Sequence, residues 1–138
     1  MFLLDTMVVS ELRRPRPHGG VVTWLASVPD ERLHVCALTF GEMQAGVEAT
    51  RIQDPAKAAE IEAFLDRAAE TYNVLPMNTA CFRAWAKLMR NRSQVLAEDA
   101  MIAACAQVNG LTVATRNTKH FRDLEIPLID PWTAAPLS

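Results

Sequence analysis

An α/β fold with a central parallel sheet is the class that this 138-residue sequence predicts. Short apolar runs alternate with segments whose apolar residues recur at helical spacing. The runs are far enough apart for helical crossovers, which parallel neighbours require. Three acids, Asp5, Glu42 and Asp99, and the polar Asn117 each stand just past such a run or in the first turn of a helix. Open parallel sheets bind ligands at those carboxyl ends, where the strand order reverses.

Phe2 to Leu4 is the first strand and ends on Asp5. A short segment with Ser10 and Glu11 leads into Arg13-Arg14-Pro15-Arg16-Pro17-His18-Gly19-Gly20, a basic loop closed by helix breakers. A helix follows from Val21 to about Val28, then a second buried strand from Leu33 to Leu38. Thr39 to about Glu48 reads as helical. A longer helix starts at Asp54-Pro55, an N-cap acid followed by proline at the first helical position. Ile61, Phe64, Leu65 and Ala68 form its buried stripe.

Tyr72 to Leu75 is the third strand, and Asn78 caps a helix whose inner face is Cys81, Trp85 and Leu88. Ala97 to Asn109 is the cleanest helix, with Ala97, Met101, Ala104, Cys105 and Val108 on one face and Asn109-Gly110 as its stop. Leu111 to Ala114 and Pro127 to Ile129 complete a sheet of about five strands. No linker, repeat or low-complexity tract divides the chain, so residues 1–138 are expected to form one domain.

A net charge of −2 gives no sign of bulk attraction to nucleic acid, so any basic surface is local. No run approaches the roughly 18 apolar residues of a membrane span. The start, Met1 to Asp5, has no basic leader and reaches an acid at once, which reads against a signal peptide. Cys36, Cys81 and Cys105 are odd in number and lack metal-knuckle spacing, so they read as small hydrophobes of a cytoplasmic protein.

The acids carry the chemistry. Asp5 follows a buried run, and a buried carboxylate needs a partner. Glu42 has a structural rival, because Thr39-x-x-Glu42 matches a capping box. Glu98 and Asp99 share a helix N-terminal turn, where acids are favoured by the dipole. Of the two, Asp99 borders the buried stripe, and Glu98 faces solvent or supports the site. Asn117 can offer a carbonyl oxygen without charge, and Thr6 and Thr115 flank the same edge.

Carboxylates gathered together repel until a cation neutralises them, and an all-oxygen set suits Mg²⁺ or Mn²⁺. Asp5, Glu42 and Asp99 are therefore the expected metal ligands. Phosphodiester hydrolysis is the expected reaction. Arg13, Arg14 and Arg16, then Arg90 and Arg92, then Arg116, Lys119 and Arg122 lie beside these acids. They offer an approach surface to a polyanion.

With these residues in hand, the chain resembles the PIN-domain ribonucleases, in particular the VapC/FitB-type toxins of bacterial toxin–antitoxin pairs. The marks are Leu3-Leu4-Asp5-Thr6 with Ser10-Glu11, Thr39 to Glu42, Glu98-Asp99-Ala100-Met101-Ile102-Ala103-Ala104, Thr115-Arg116-Asn117 and Ile129-Asp130-Pro131-Trp132. The resemblance implies an α/β/α sandwich and a Mg²⁺- or Mn²⁺-dependent endoribonuclease site. Asp5, Glu42, Asp99 and Asn117 would be its catalytic residues, and Thr6, Ser10, Glu98, Thr115 and Arg116 would bind substrate or support them. It also implies a homodimer, possible larger assemblies and a small VapB-type antitoxin. The family's fourth position is often aspartate, and Asn117 departs from that.

Three other classes fit less well. A phosphoacceptor receiver domain needs an aspartate after the third strand, where Pro76-Met77-Asn78 stands. A haloacid-dehalogenase-like phosphatase needs an aspartate two residues past Asp5, where Met7 stands. A non-catalytic PIN-like module that binds RNA or protein is favoured by Asn117 and opposed by the three retained acids.

Overall fold

Successive side chains of a strand point to opposite faces, and β1 (Phe2–Leu4) uses this to join two cores. Leu4 packs with Val8, Val9, Val21, Trp24, Val35 and Met43 on one face. Leu3 packs with Cys36, Cys81, Ile102, Val113 and Phe121 on the other. β2 (Leu33–Cys36) and β4 (Thr112–Ala114) divide in the same way, with Val35 and Ala114 in the first core and Cys36 and Val113 in the second.

The computed structural model describes residues 1–134. Its sheet is wholly parallel in the order β3-β2-β1-β4-β5, with β3 at Asn73–Leu75 and β5 at Leu128–Ile129. Leu4 lies opposite Val35 on one side and Ala114 on the other. The order reverses at β1, so the carboxyl end of that central strand is the place for a site. The first core is roofed by α1 (Thr6–Arg13), α2 (Gly19–Ala26), α3 (Ala37–Gln53) and α4 (Pro55–Thr71). The second is covered by α5 (Thr79–Leu88), α6 (Ala97–Asn109) and α7 (Thr118–Arg122). The expected α/β/α layering and five parallel strands are therefore present. The expected single domain of residues 1–138 runs on into 135–138, which lie outside the described residues.

Several boundaries differ from expectation, each for a local reason. The second strand stops at Cys36 instead of Leu38, because its partner β1 ends opposite Val35 and Cys36 becomes the N-cap of α3. That helix runs to Gln53, well past Glu48. The helix expected from Val21 to Val28 begins at Gly19, with the His18 ring nitrogen Nδ1 capping Gly20 N–H at 3.1 Å, and closes at Ala26. In α6, Ala100, Ile102, Ala103, Ala104, Cys105 and Ala106 are all buried, whereas Val108 is exposed. The single-face stripe is thus replaced by a small-residue helix buried on most sides. The helices α1 and α7 were not expected. α1 has only eight residues and uses Asp5 itself as its N-cap.

Candidate active site

Asp5 is fixed first by its backbone, whose N–H donates to the Ala114 carbonyl at 2.9 Å and ties the end of β1 to β4. Its side chain is then held at both oxygens. Thr6 N–H donates to Oδ1 at 2.8 Å, and the buried Thr115 hydroxyl donates to Oδ2 at 2.8 Å. Only 3% of Asp5 is exposed. Burial raises its pKa, the Thr115 bond opposes the rise, and the charge of Asp99 adds to it.

Glu42 comes from α3, across the carboxyl end of β2. The rival capping box does not form. Cys36 is the N-cap, so Thr39 already lies inside the helix, and Glu42 accepts a hydrogen bond from the Thr6 hydroxyl at 3.0 Å. Thr6 Oγ1 also lies 2.8 Å from Thr39 Oγ1. Thr6 has one proton to give. With Glu42 ionised, the buried Thr39 therefore donates to Thr6, and Thr6 to Glu42. Burial lifts the Glu42 pKa to about 7, helped by a proton shared with the Glu98 carboxyl and by the charges of Glu98 and Asp5.

Asp99 stands in the first turn of α6 at the same edge, within electrostatic reach of Asp5. His120 Nδ1 donates to its Oδ2 at 2.9 Å. Glu98, its neighbour, is exposed and lies against Glu42. Thus Asp5, Glu42, Asp99 and Glu98 come together at one end of the sheet, with Thr6 and Thr115 as braces. Among the described residues, however, no three Asp, Glu, His or Cys side chains close into a ready-made metal cage.

The other expected residues are placed more loosely. Ser10 lies one turn beyond Thr6 on α1 and lines a cavity of about 360 Å³ that also touches Glu42 and Arg13. Asn117 donates its backbone N–H to Thr115 Oγ1 at 3.0 Å, and its side-chain amide turns to the Met7 sulfur at 3.0 Å. It supports the brace on Asp5 and makes no hydrogen bond to the acids among the described residues. Arg116 is exposed, with its guanidinium 5.3 Å from the centre of the Trp132 ring.

Two members of the cluster were missed in the sequence. His120 is three residues past Asn117, on a helix too short to show a period. Thr39 reads in the sequence as a cap or as part of the Thr39 to Glu42 mark, and its hydroxyl chain to Glu42 appears only in the structure.

The PIN domain family model matches residues 2–126. The plasmid stability protein StbB of Pseudomonas syringae pv. tomato is 36% identical over 141 residues, covering 97% of this chain and 100% of that protein. Toxin FitB of Neisseria gonorrhoeae is 32% identical, covering 96% and 99%. A VapC ribonuclease of Sinorhizobium fredii is also 32% identical, covering 98% and 100%. The solved structure of FitAcB from Neisseria gonorrhoeae superposes with a TM-score of 0.84 at 31% identity, over 97% of this chain and 100% of that one. The parallel sheet, the acids at its carboxyl edge and these full-length likenesses agree: the chain belongs to the PIN-domain family.

Proposed function

We propose that the chain, as one domain over residues 1–138, is a metal-dependent endoribonuclease and the toxin of a toxin–antitoxin pair. The observation that carries this reading is the buried, doubly braced Asp5 carboxylate at the carboxyl end of the central strand, with Glu42 and Asp99 beside it. The donors are all oxygens, and the burial and like charge that raise Asp5 and Glu42 are what a hard divalent cation offsets. Asp5, Asp99 and Glu42 are therefore the residues that would hold Mg²⁺ or Mn²⁺. When bound, the ion supplies Lewis-acid activation of water and neutralises charge on the phosphate.

The chain's own groups do the rest. Thr115 and the Thr6 amide keep Asp5 in one orientation. Thr6 and Thr39 orient Glu42, whose pKa of about 7 in the metal-free site means that a proton at Oε has to leave before the carboxylate can hold an ion near neutral pH. His120 fixes one oxygen of Asp99. Asn117 acts mainly by supporting Thr115, so loss of a negative charge there leaves the acid cluster intact. Ser10, Glu98 and Arg116 border the substrate's path.

The names of two relatives, a VapC ribonuclease and toxin FitB, support RNA as substrate and a small VapB-type antitoxin as partner. A homodimer, alone or within a larger toxin–antitoxin assembly, belongs to the same reading. No helix of the described residues is long and apolar enough to cross a membrane. The three cysteines are free and buried, in keeping with a reducing cytoplasm.

The direct test is incubation of the isolated protein with a mixed cellular RNA pool, with Mg²⁺ or Mn²⁺ against EDTA. Discrete fragments that need the metal are expected. Groups that only support a metal ligand are typically worth roughly 10–100-fold, so Asp99→Asn should lose at least about a hundredfold. Unchanged cleavage by folded Asp99→Asn protein would overturn the assignment and favour the non-catalytic binding module.

A further inference from the structure

The loop between α1 and α2 is basic in sequence, and in the structure it is held rigidly. Glu11 is 7% exposed and spends both oxygens on the loop. Its Oε1 accepts from Arg14 Nη1 at 3.2 Å, and its Oε2 from the His18 backbone N–H at 3.0 Å. Pro15 and Pro17 restrict the backbone between them. At the far side, Gly20 allows a close approach, since a Cβ there would meet the Trp132 carbonyl at 2.9 Å. Trp132 is fixed in turn by its own N–H, which donates to Asp130 Oδ1 at 2.9 Å.

These contacts build a groove of about 490 Å³ between the loop, Arg116 and Trp132. An adjoining cavity of about 340 Å³ shares Glu11, Arg14, Arg116 and Trp132 with it and reaches Thr6 and Ser10. Thr6, Ser10 and Arg13 of that cavity also line the one that touches Glu42, so the groove leads toward the acid cluster. Among the described residues, Arg16 and Arg116 have no carboxylate within salt-bridge distance. The Arg116 guanidinium sits 5.3 Å from the Trp132 ring centre, and the His18 ring lies 6.3 Å from Trp132 at 41°. Because His18 Nδ1 accepts from Gly20, its proton is on Nε2, which remains a donor.

We propose that this groove is a single-stranded RNA subsite, in which a nucleobase stacks on Arg116 backed by Trp132 while Arg14 and Arg16 take flanking phosphates. The inference rests on the ribonuclease reading and adds where the strand is gripped outside the acids. A guanidinium placed over an indole offers a planar face to any base, and that recognition needs an unstacked, single-stranded nucleotide. An acidic peptide would use the charges but would have no use for the stacking face.

The test measures binding of a fluorescently labelled single-stranded RNA of about ten nucleotides, a length that fits common single-strand site sizes. Asp99→Asn protein in EDTA is used so that the probe stays whole. Arg116→Lys keeps the charge and loses the plane, so it is expected to weaken binding about tenfold, as much as Arg116→Ala does. Arg16→Ala should reduce the salt slope by about one, whereas Arg116→Lys should leave it unchanged. Duplex RNA of the same sequence should compete poorly.

Wild-type affinity in Arg116→Lys, or equal competition by duplex, would reduce the groove to plain charge and overturn the proposal. RNA affinity unchanged in all three variants would overturn it in favour of a protein partner's seat. The ribonuclease reading fails separately, by absence of metal-dependent cleavage in the wild-type protein. Melting curves verify that each variant is folded.

Discussion

Thr115 carries more of the site than its size indicates. Its hydroxyl is fully buried, donates to Asp5 Oδ2 at 2.8 Å and accepts from Asn117 N–H at 3.0 Å. Valine at this position would keep the shape and remove both bonds. One oxygen of a buried carboxylate and one amide would be left unpaired, at a cost of about 1–3 kcal/mol each. The Thr115 bond also lowers the Asp5 pKa against burial, so its loss should push that pKa higher still. Thr115→Val is therefore expected to cut RNA cleavage about 10–100-fold and move the acidic limb of the pH–rate profile upward. Thr115→Ser should restore both. A full-rate Thr115→Val enzyme would remove Thr115 from the site. At this scale the placement of Asp5, Glu42 and Asp99 at the carboxyl edge of the sheet was legible, because each lies past a strand or near a helix start. His120 was not, since its partner Asp99 is 21 residues away and only the docking of α7 on α6 joins them. The rival capping box at Thr39-x-x-Glu42 fails because it presupposes an N-cap three residues later than Cys36.

Helix ends decide which elements could be read. α4 carries explicit signals: Asp54 Oδ1 accepts from Lys57 N–H at 3.1 Å, and Pro55 takes the first helical position. α6 stops at Gly110, whose φ of 66° suits glycine. Both were legible, α6 to the residue. α1 has an N-cap too, but it is Asp5, and the same carboxylate serves the site and the helix. α3 has no side-chain cap at all, so nothing local distinguishes the end of β2 from the start of the helix. The cap of α4 also offers a control remote from the acids. Asp54→Ala should cost about 1 kcal/mol. For a domain of this size that lowers the melting temperature by roughly 3–6 °C. Cleavage at 25 °C should be unchanged. A loss of activity without a loss of stability would mean that α4 supports the site in a way its packing on α3 does not convey.

The three layers bring acids from three separate elements to one edge of the sheet, so the stability of the whole chain should feel their repulsion. Burial raises both Asp5 and Glu42, Glu42 from 4.5 to about 7. An acid with a raised folded pKa binds its proton more tightly when folded. Its contribution is fully present below the unfolded value and is lost as pH climbs through the folded one. For Glu42 that window runs from 4.5 to about 7. Glu11 works the other way, since its lowered pKa gives stability that disappears as pH falls below its usual range. Metal-free protein should therefore be most stable at mildly acidic pH and melt at a lower temperature at pH 8 than at pH 5.5. A divalent ion replaces the missing protons. Mg²⁺ at about ten times its Kd would add roughly 1.4 kcal/mol. That is a rise of roughly 4–8 °C at pH 8, and the rise should be smaller at pH 5.5, where protons compete for Glu42. Glu42→Gln removes the charge that the ion answers. In EDTA at pH 8 this variant should melt above wild type, and its Mg²⁺ shift should shrink. Calorimetric melts over this range in EDTA and in Mg²⁺ test every part of this. A metal-free melting temperature that stays level or rises from pH 5.5 to 8 would mean that burial and like charge do not raise these carboxylates, and the case for a cation among them would lose its physical basis.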